Sequence, residues 1–217
     1  HSWYRRQRQM CIRDSYHGHQ FGHYNPELGD GRGFLFAQFY DAVGRLMDLG
    51  TKGSGTTPFS RLGDGRLTLK GAVREILATE MLEALGVQTS KTLSVIETGE
   101  SLQRQDEPSP TRSAVLVRLS HSHIRIGSFQ RLLYHDDADG IDILARHVAR
   151  HYFADAADGV VVNADAETAD LLADLLKAIA ARIAVTVGNW MAAGFVHGVL
   201  NTDNFNVTGE SFDYGPW

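Results

Sequence analysis

Asp203 and Asn204 stand side by side in HGVLNTDNFNVTGESFDYGPW, the stretch from His197 to Trp217, and Asp213 follows across one polar turn. Two carboxylates and an amide so placed could hold a divalent cation through hard oxygen donors and take up a proton. They could equally form a plain turn, because Asp and Asn favour turns. Further chemistry-bearing residues lie upstream. GDGRG offers Gly29 and Gly31 in a turn, Lys52 ends a strand-like run, and Glu75 lies on the flank of a helix-like one. A nucleoside triphosphate site asks for these types. Glycine lets backbone approach phosphate, a cation neutralises it, a carboxylate holds that cation, and oxygen ligands bind the metal. Taken together and in this order along the chain, they are a stronger signal than any one of them. Taken singly, each has an ordinary reading. Lys52 would be a surface lysine, Glu75 a solvated helix flank, and Arg118 and Arg125 ordinary surface or ion-pair residues.

The elements that must position them follow from periodicity. After the Gly-rich turn, GFLFAQFYD and RLMDLGTKGSG read as two strands joined at Gly44, and Gly55 to Arg66 reads as loop. Lys70 to Leu85 reads as a helix, with Val73, Leu77, Met81 and Leu85 as its apolar stripe and Gly86 as its stop. Thr92 to Glu97 and Ser113 to Leu119 read as strands around a polar loop. Beyond them, Ile141 to Phe153 reads as helix. Ala166 to Ala193 reads as a longer one, capped by Asp165, with Leu172, Leu175, Leu176, Ile179, Ile183, Val187, Trp190 and Met191 on one face. Trp190 is expected in the core, and His197 is expected to pack or hydrogen-bond the loop. A β-rich half followed by a helical half is an α+β arrangement.

Bulk properties narrow the function classes. The 217 residues are 43% hydrophobic and 22% charged, with a net charge of −5, enough for a globular core. The acidic balance argues against a nucleic-acid partner. Ile183 to Leu200 carries no charged residue, but Asn189, His197 and three glycines favour a buried helix over a membrane span. The single cysteine, Cys11, leaves no internal disulfide and fits a reducing, cytoplasmic compartment. His17, His19 and His23 in HGHQFGH lack partner cysteines and any HExxH, so a Gly-rich polar stretch is preferred there over a transition-metal site. Residues 1–15, HSWYRRQRQMCIRDS, show no apolar period and are expected to be a non-native or disordered leader.

GDGRG, TKGSGTTPFSRLGDGR, the helix with REIL, VRLSHSHIRIGSF and the closing stretch together resemble the SelO (YdiU) family, across Tyr16 to Trp217. The resemblance implies a protein-kinase-like two-lobed fold, with a β-rich N-lobe carrying one αC-type helix and a helical C-lobe. Residues 16–130 would be the nucleotide-binding N-lobe part and 131–217 the start of a truncated C-lobe. It further implies a bacterial-type adenylyltransferase that moves AMP from ATP to Ser, Thr or Tyr hydroxyls of proteins and releases pyrophosphate. The alternatives are a kinase-fold phosphotransferase or a non-catalytic nucleotide-binding pseudokinase.

Residue by residue, the resemblance implies that Gly29, Gly31, Arg32, Lys52, Asp64, Gly65, Arg118 and Arg125 contact the nucleotide. Glu75 would pair with Lys52, Asp203 would accept the proton, and Asn204 and Asp213 would hold Mg²⁺, or Mn²⁺ in its place. The nucleotide would lie flipped, its α-phosphorus toward the acceptor, with Arg118 and Arg125 neutralising the inward phosphates. No HRD triplet precedes Asp203, unlike ordinary kinases. Family members are longer, so the chain is expected to be a fragment with weak or no transferase activity alone.

Overall fold

The computed structural model describes residues 19–20, 23–24, 33–56, 65–105, 107–154, 160–211, 213–215 and 217. Two-residue strands β1 (His19–Gln20) and β2 (His23–Tyr24) pair with each other. The main sheet is antiparallel and contains β3 (Gly33–Tyr40), β4 (Leu46–Lys52), β5 (Leu67–Thr68), β6 (Lys91–Leu102) and β7 (Thr111–Ser120). β7 lies at its centre, hydrogen-bonded to β4, β5 and β6. The hairpin expected at Gly44 forms: Asp41 Oδ1 accepts from the backbone N–H of Val43 and Arg45, and Gly44 takes φ +83°.

Helix α1 (Leu69–Ala84) follows β5, and Thr68 caps it by accepting from the Gly71 N–H at 3.0 Å. Its buried face differs from the expected stripe. Ala72, Glu75, Ala78, Thr79 and Leu82 face inward, whereas Val73, Leu77 and Leu85 are exposed. Small residues let the helix sit close to the sheet, where Thr79 Oγ1 meets Thr92 Oγ1 at 3.1 Å. That rotation carries Glu75 from the flank into the interior.

Three helices follow: α2 (Gly127–Tyr134), α3 (Ala138–Tyr152) and α4 (Thr168–Ala192). The eight-residue α2 was not legible as a helix; the other two lie close to their expected bounds. Asp165 does not cap α4. The helix starts two residues past the expected Ala166 and Glu167 stands at its cap without a side-chain bond, while Asp165 pairs with Arg150 at 2.8 Å. Leu175, Ile179 and Trp190 are buried as expected, but Leu176 and Met191 are exposed. Among the described residues no helix is long and apolar enough to cross a membrane.

Two apolar clusters tie the sheet half to the helical half. One joins Leu46 and Ile124 to α3, α4 and Val207. The other joins Ala78, Leu82 and Val87 to Trp190, Phe195, Phe205 and Tyr214. Trp190 stacks on Phe205 at 5.4 Å and on His197 at 5.5 Å, so α4 grips both ends of the segment that carries Asp203 and Asn204.

Candidate nucleotide and metal site

Lys52 is the last residue of β4, opposite Leu116 in β7. The chain must turn immediately after it. Gly53 does so with φ +90°, and a Cβ there would lie 2.6 Å from both the Ala114 carbonyl oxygen and Leu67 Cβ. Gly55 N–H then donates to the Gly65 carbonyl at 3.1 Å, which sets Gly65 beside the lysine's own loop.

Lys52 Nζ reaches two carboxylates, Glu75 Oε1 at 2.6 Å and Asp213 Oδ1 at 2.8 Å. Glu75 is buried, and its second oxygen accepts from the Tyr214 N–H at 3.3 Å. One glutamate therefore holds both the lysine and the backbone beside Asp213. His197 Nε2 meets the Asp213 carbonyl at 2.7 Å, the loop-bonding role expected of it. Lys52 and Asp213 remain 18% and 26% exposed, so this charged cluster is open to a ligand on one side.

Burial alone would push the Lys52 ammonium down, but Asp213 and Glu75 outweigh it and hold the group above its ordinary value, against opposition from Arg118. Burial likewise favours a protonated Asp213. The charge and hydrogen bond of Lys52, with Arg125 and Arg118 behind them, reverse that and keep its carboxyl well below the usual range. Asp213 is therefore ionised at neutral pH.

Arg118 lies in β7 opposite Gly50 of β4 and Thr92 of β6, and its side chain is buried. Arg125 is placed by a backbone zipper. Val207 N–H donates to the Ile124 carbonyl at 2.9 Å, Ile126 N–H to the Phe205 carbonyl at 3.2 Å, and Gly127 N–H to the Thr202 carbonyl at 3.1 Å. This sets the buried Arg125 against Asp203, with Nη1 to Oδ1 at 3.7 Å. The Asp203 N–H is held by Asn201 Oδ1 at 2.7 Å.

The donor set fits a hard divalent cation. Asn204 Oδ1 is buried and receives no hydrogen bond among the described residues, as a vacant ligand oxygen would, and Asp213 contributes an ionised carboxylate. Among the described residues no three His, Cys, Asp or Glu side chains gather into a metal cluster, so Asn204 and Asp213 could supply only part of a cation's ligands. Gly29, Gly31, Arg32 and Asp64 lie outside the described residues, as do Cys11 and the side chains of HGHQFGH. The structure thus brings Lys52, Glu75, Arg118, Arg125, Asp203 and Asp213 into one linked cluster, with Asn204 next in chain to Asp203.

Residues 4–217 match the family described as Protein adenylyltransferase SelO. The chain belongs to that family. Among its relatives are proteins named protein nucleotidyltransferase YdiU. The one from Synechocystis sp. is 56% identical over 202 residues, covering 93% of this chain and 41% of the relative. The one from Trichodesmium erythraeum is 55% identical over 211 residues, covering 95% and 44%. That from Vibrio cholerae is 40% identical over 202 residues, covering 93% and 39%. The chain spans about two fifths of the length of these curated relatives.

Two residues that organise this SelO-family turn carry no motif in the sequence. Asn206 Oδ1 accepts from Thr208 N–H, Thr208 Oγ1 and Glu210 N–H, while its Nδ2 donates to Ser120 Oγ and the Ser122 carbonyl. Glu210 accepts from Gln88, Ser120 and the His121 N–H. Between them they fix the turn linking Asn204 to Asp213 under the end of β7. Only their position inside NFNVTGES, between the candidate ligands, could have marked them.

Proposed function

We propose that the whole protein is an ATP-dependent adenylyltransferase with a kinase-like two-lobed fold, transferring AMP to Ser, Thr or Tyr hydroxyls of other proteins. Residues 16–130 would belong to the nucleotide-binding lobe and 131–217 to the helical one. The observation that carries the reading is the contact of Lys52 with both Glu75 and Asp213, beside two buried arginines. Family membership supports nucleotidyl transfer over phosphoryl transfer.

In this mechanism Lys52, fixed by Glu75, binds a phosphate oxygen as a point charge. Arg118 and Arg125 offer planar donors to the inward β- and γ-phosphates, and Gly29, Gly31, Arg32, Asp64 and Gly65 complete the nucleotide's surroundings. Asp203 orients the acceptor hydroxyl and takes its proton as the oxygen attacks the α-phosphorus, and pyrophosphate leaves. Asn204 and Asp213 would hold Mg²⁺, which would screen phosphate charge and stabilise charge developing on the leaving group.

The test is incubation with ATP labelled separately at the α and γ positions. It is run on this chain and on a chimera in which the Synechocystis relative supplies the rest of the sequence. Protein labelled from the α position alone is expected. Labelling from γ alone makes the protein a phosphotransferase, and nucleotide binding without either label makes it a pseudokinase.

A further inference from the structure

Where Thr208 of the turn between Asn204 and Asp213 meets Arg45, His121 and α4 lies a cavity of about 410 Å³. Its lining includes Arg45, His121, Arg182, Val185, Thr186 and Thr208, and none of the nucleotide-site residues. The volume falls in the range of small-ligand pockets, about 300–1,000 Å³. Its charge is one-sided. Among the described residues the ionisable groups that line it are two arginines and a histidine, with no carboxylate, in a chain whose net charge is −5.

The cations are held rather than loose. Arg182 Nη1 donates to the Tyr152 carbonyl at 3.0 Å, and its guanidinium carbon lies 3.9 Å over the Phe153 ring. Arg45 Nε pairs with Asp41 at 2.8 Å. On α4, beside Arg182 itself, Val185 and Ala181 give the cavity an apolar stretch of lining. Burial pushes the His121 imidazole down; Glu210 pulls it up, and both Arg45 and Arg182 push it down again, with a smaller upward pull from Asp41. The field of both guanidiniums thus reaches this ring. Thr208, whose hydroxyl donates to Asn206 Oδ1 at 2.7 Å, closes the cavity on the side of the Asn204–Asp213 turn.

We propose that this cavity is a second ligand site, distinct from the nucleotide site, for a small organic anion: a carboxylate or phosphate head toward Arg45 and Arg182, and a hydrocarbon or aryl body against Val185 and Ala181. Guanidinium pairs suit such heads. The inference stands independently of the transferase reading.

The 217-residue chain is titrated with benzoate and, separately, with neutral benzyl alcohol, following the His121 ring signals by NMR across pH. Benzoate is expected to shift those signals saturably and raise the His121 pKa, and benzyl alcohol is expected to do neither. Arg45→Gln, at a side chain 42% exposed, should weaken benzoate at least about tenfold, the loss of one charge-assisted hydrogen bond. Val185→Trp, at an exposed position, should fill the cavity and abolish the response. An unsaturable response, an equal response to the alcohol, or unchanged affinity in both folded variants overturns the proposal.

Discussion

Asp213 Oδ1 lies 2.8 Å from Lys52 Nζ, a contact between residues 161 positions apart. It closes the sheet half onto the loop after α4 at the proposed nucleotide site. Glu75 braces it from behind by holding both the ammonium and the Tyr214 N–H. Lys52→Met is therefore expected to lower ATP affinity about tenfold or more, the loss of a charge-assisted hydrogen bond to phosphate. Isothermal titration with ATP and Mg²⁺ measures this, and circular dichroism checks that the variant still folds.

Trp190 anchors the loop from the other side, stacked between Phe205 and His197. Trp190→Ala removes a buried aromatic ring and should cost about 3–5 kcal/mol. Urea unfolding reads the loss. A change below about 1 kcal/mol would mean that the loop is held elsewhere.

The rotated face of α1 gives a sharper contrast. Leu82 is fully buried, whereas Leu77 on the same helix is 54% exposed. Leu82→Ala should cost about 2–5 kcal/mol, and Leu77→Ser should stay within about 0.5 kcal/mol. Thermal melts of the two variants decide between this packing and the Val73–Leu77–Leu85 stripe.

That stripe also marks where the sequence was legible and where it was not. Periodicity located α1 and α4, and Gly44 located the first hairpin, because local propensity and apolar spacing set element type. Which face of α1 turns inward depends on how closely the helix approaches β6 and β7, and Ala72, Ala78 and Thr79 carry almost no hydrophobic signal. The sequence pattern therefore puts Glu75 on a flank, although the family resemblance implies its pairing with Lys52. Asn206 and Glu210 carry no sequence signal for a related reason. Their work is to satisfy the Ser120 hydroxyl at the end of β7 and the backbone of His121 and Ser122 just beyond it, which only the tertiary fold brings within reach.

Two buried histidines and the half-buried His147 predict an acid-side loss of stability. Burial, assisted by His151, pushes His147 down to about 4. His121 and His123 are lowered too, burial being the largest cause at each and, at His123, outweighing the Asp48 contact. An unfolded histidine titrates near 6.5, so the unfolded chain binds more protons across this interval. Their contribution is fully present above about pH 6.5 and is lost as the pH falls toward 4. His147→Gln should flatten part of that slope. Melting temperatures of both proteins from pH 7.5 to 4.5 measure it, and identical slopes would contradict the assignment.

Because the chain spans about two fifths of its relatives, it should transfer label from α-labelled ATP much more slowly than the chimera that restores the relative's length. Equal turnover by the isolated 217 residues, measured per mole of protein, would show that these residues carry the full acceptor site.

Everything in the proposed mechanism depends on which phosphorus faces Asp203. A structure of the chain with Mg²⁺ and a non-hydrolysable ATP analogue would show this. The α-phosphorus is expected toward Asp203, the metal on Asn204 and Asp213, and the γ-phosphate against Arg118 and Arg125. A γ-phosphate presented to Asp203, with the arginines away from the phosphates, would contradict it.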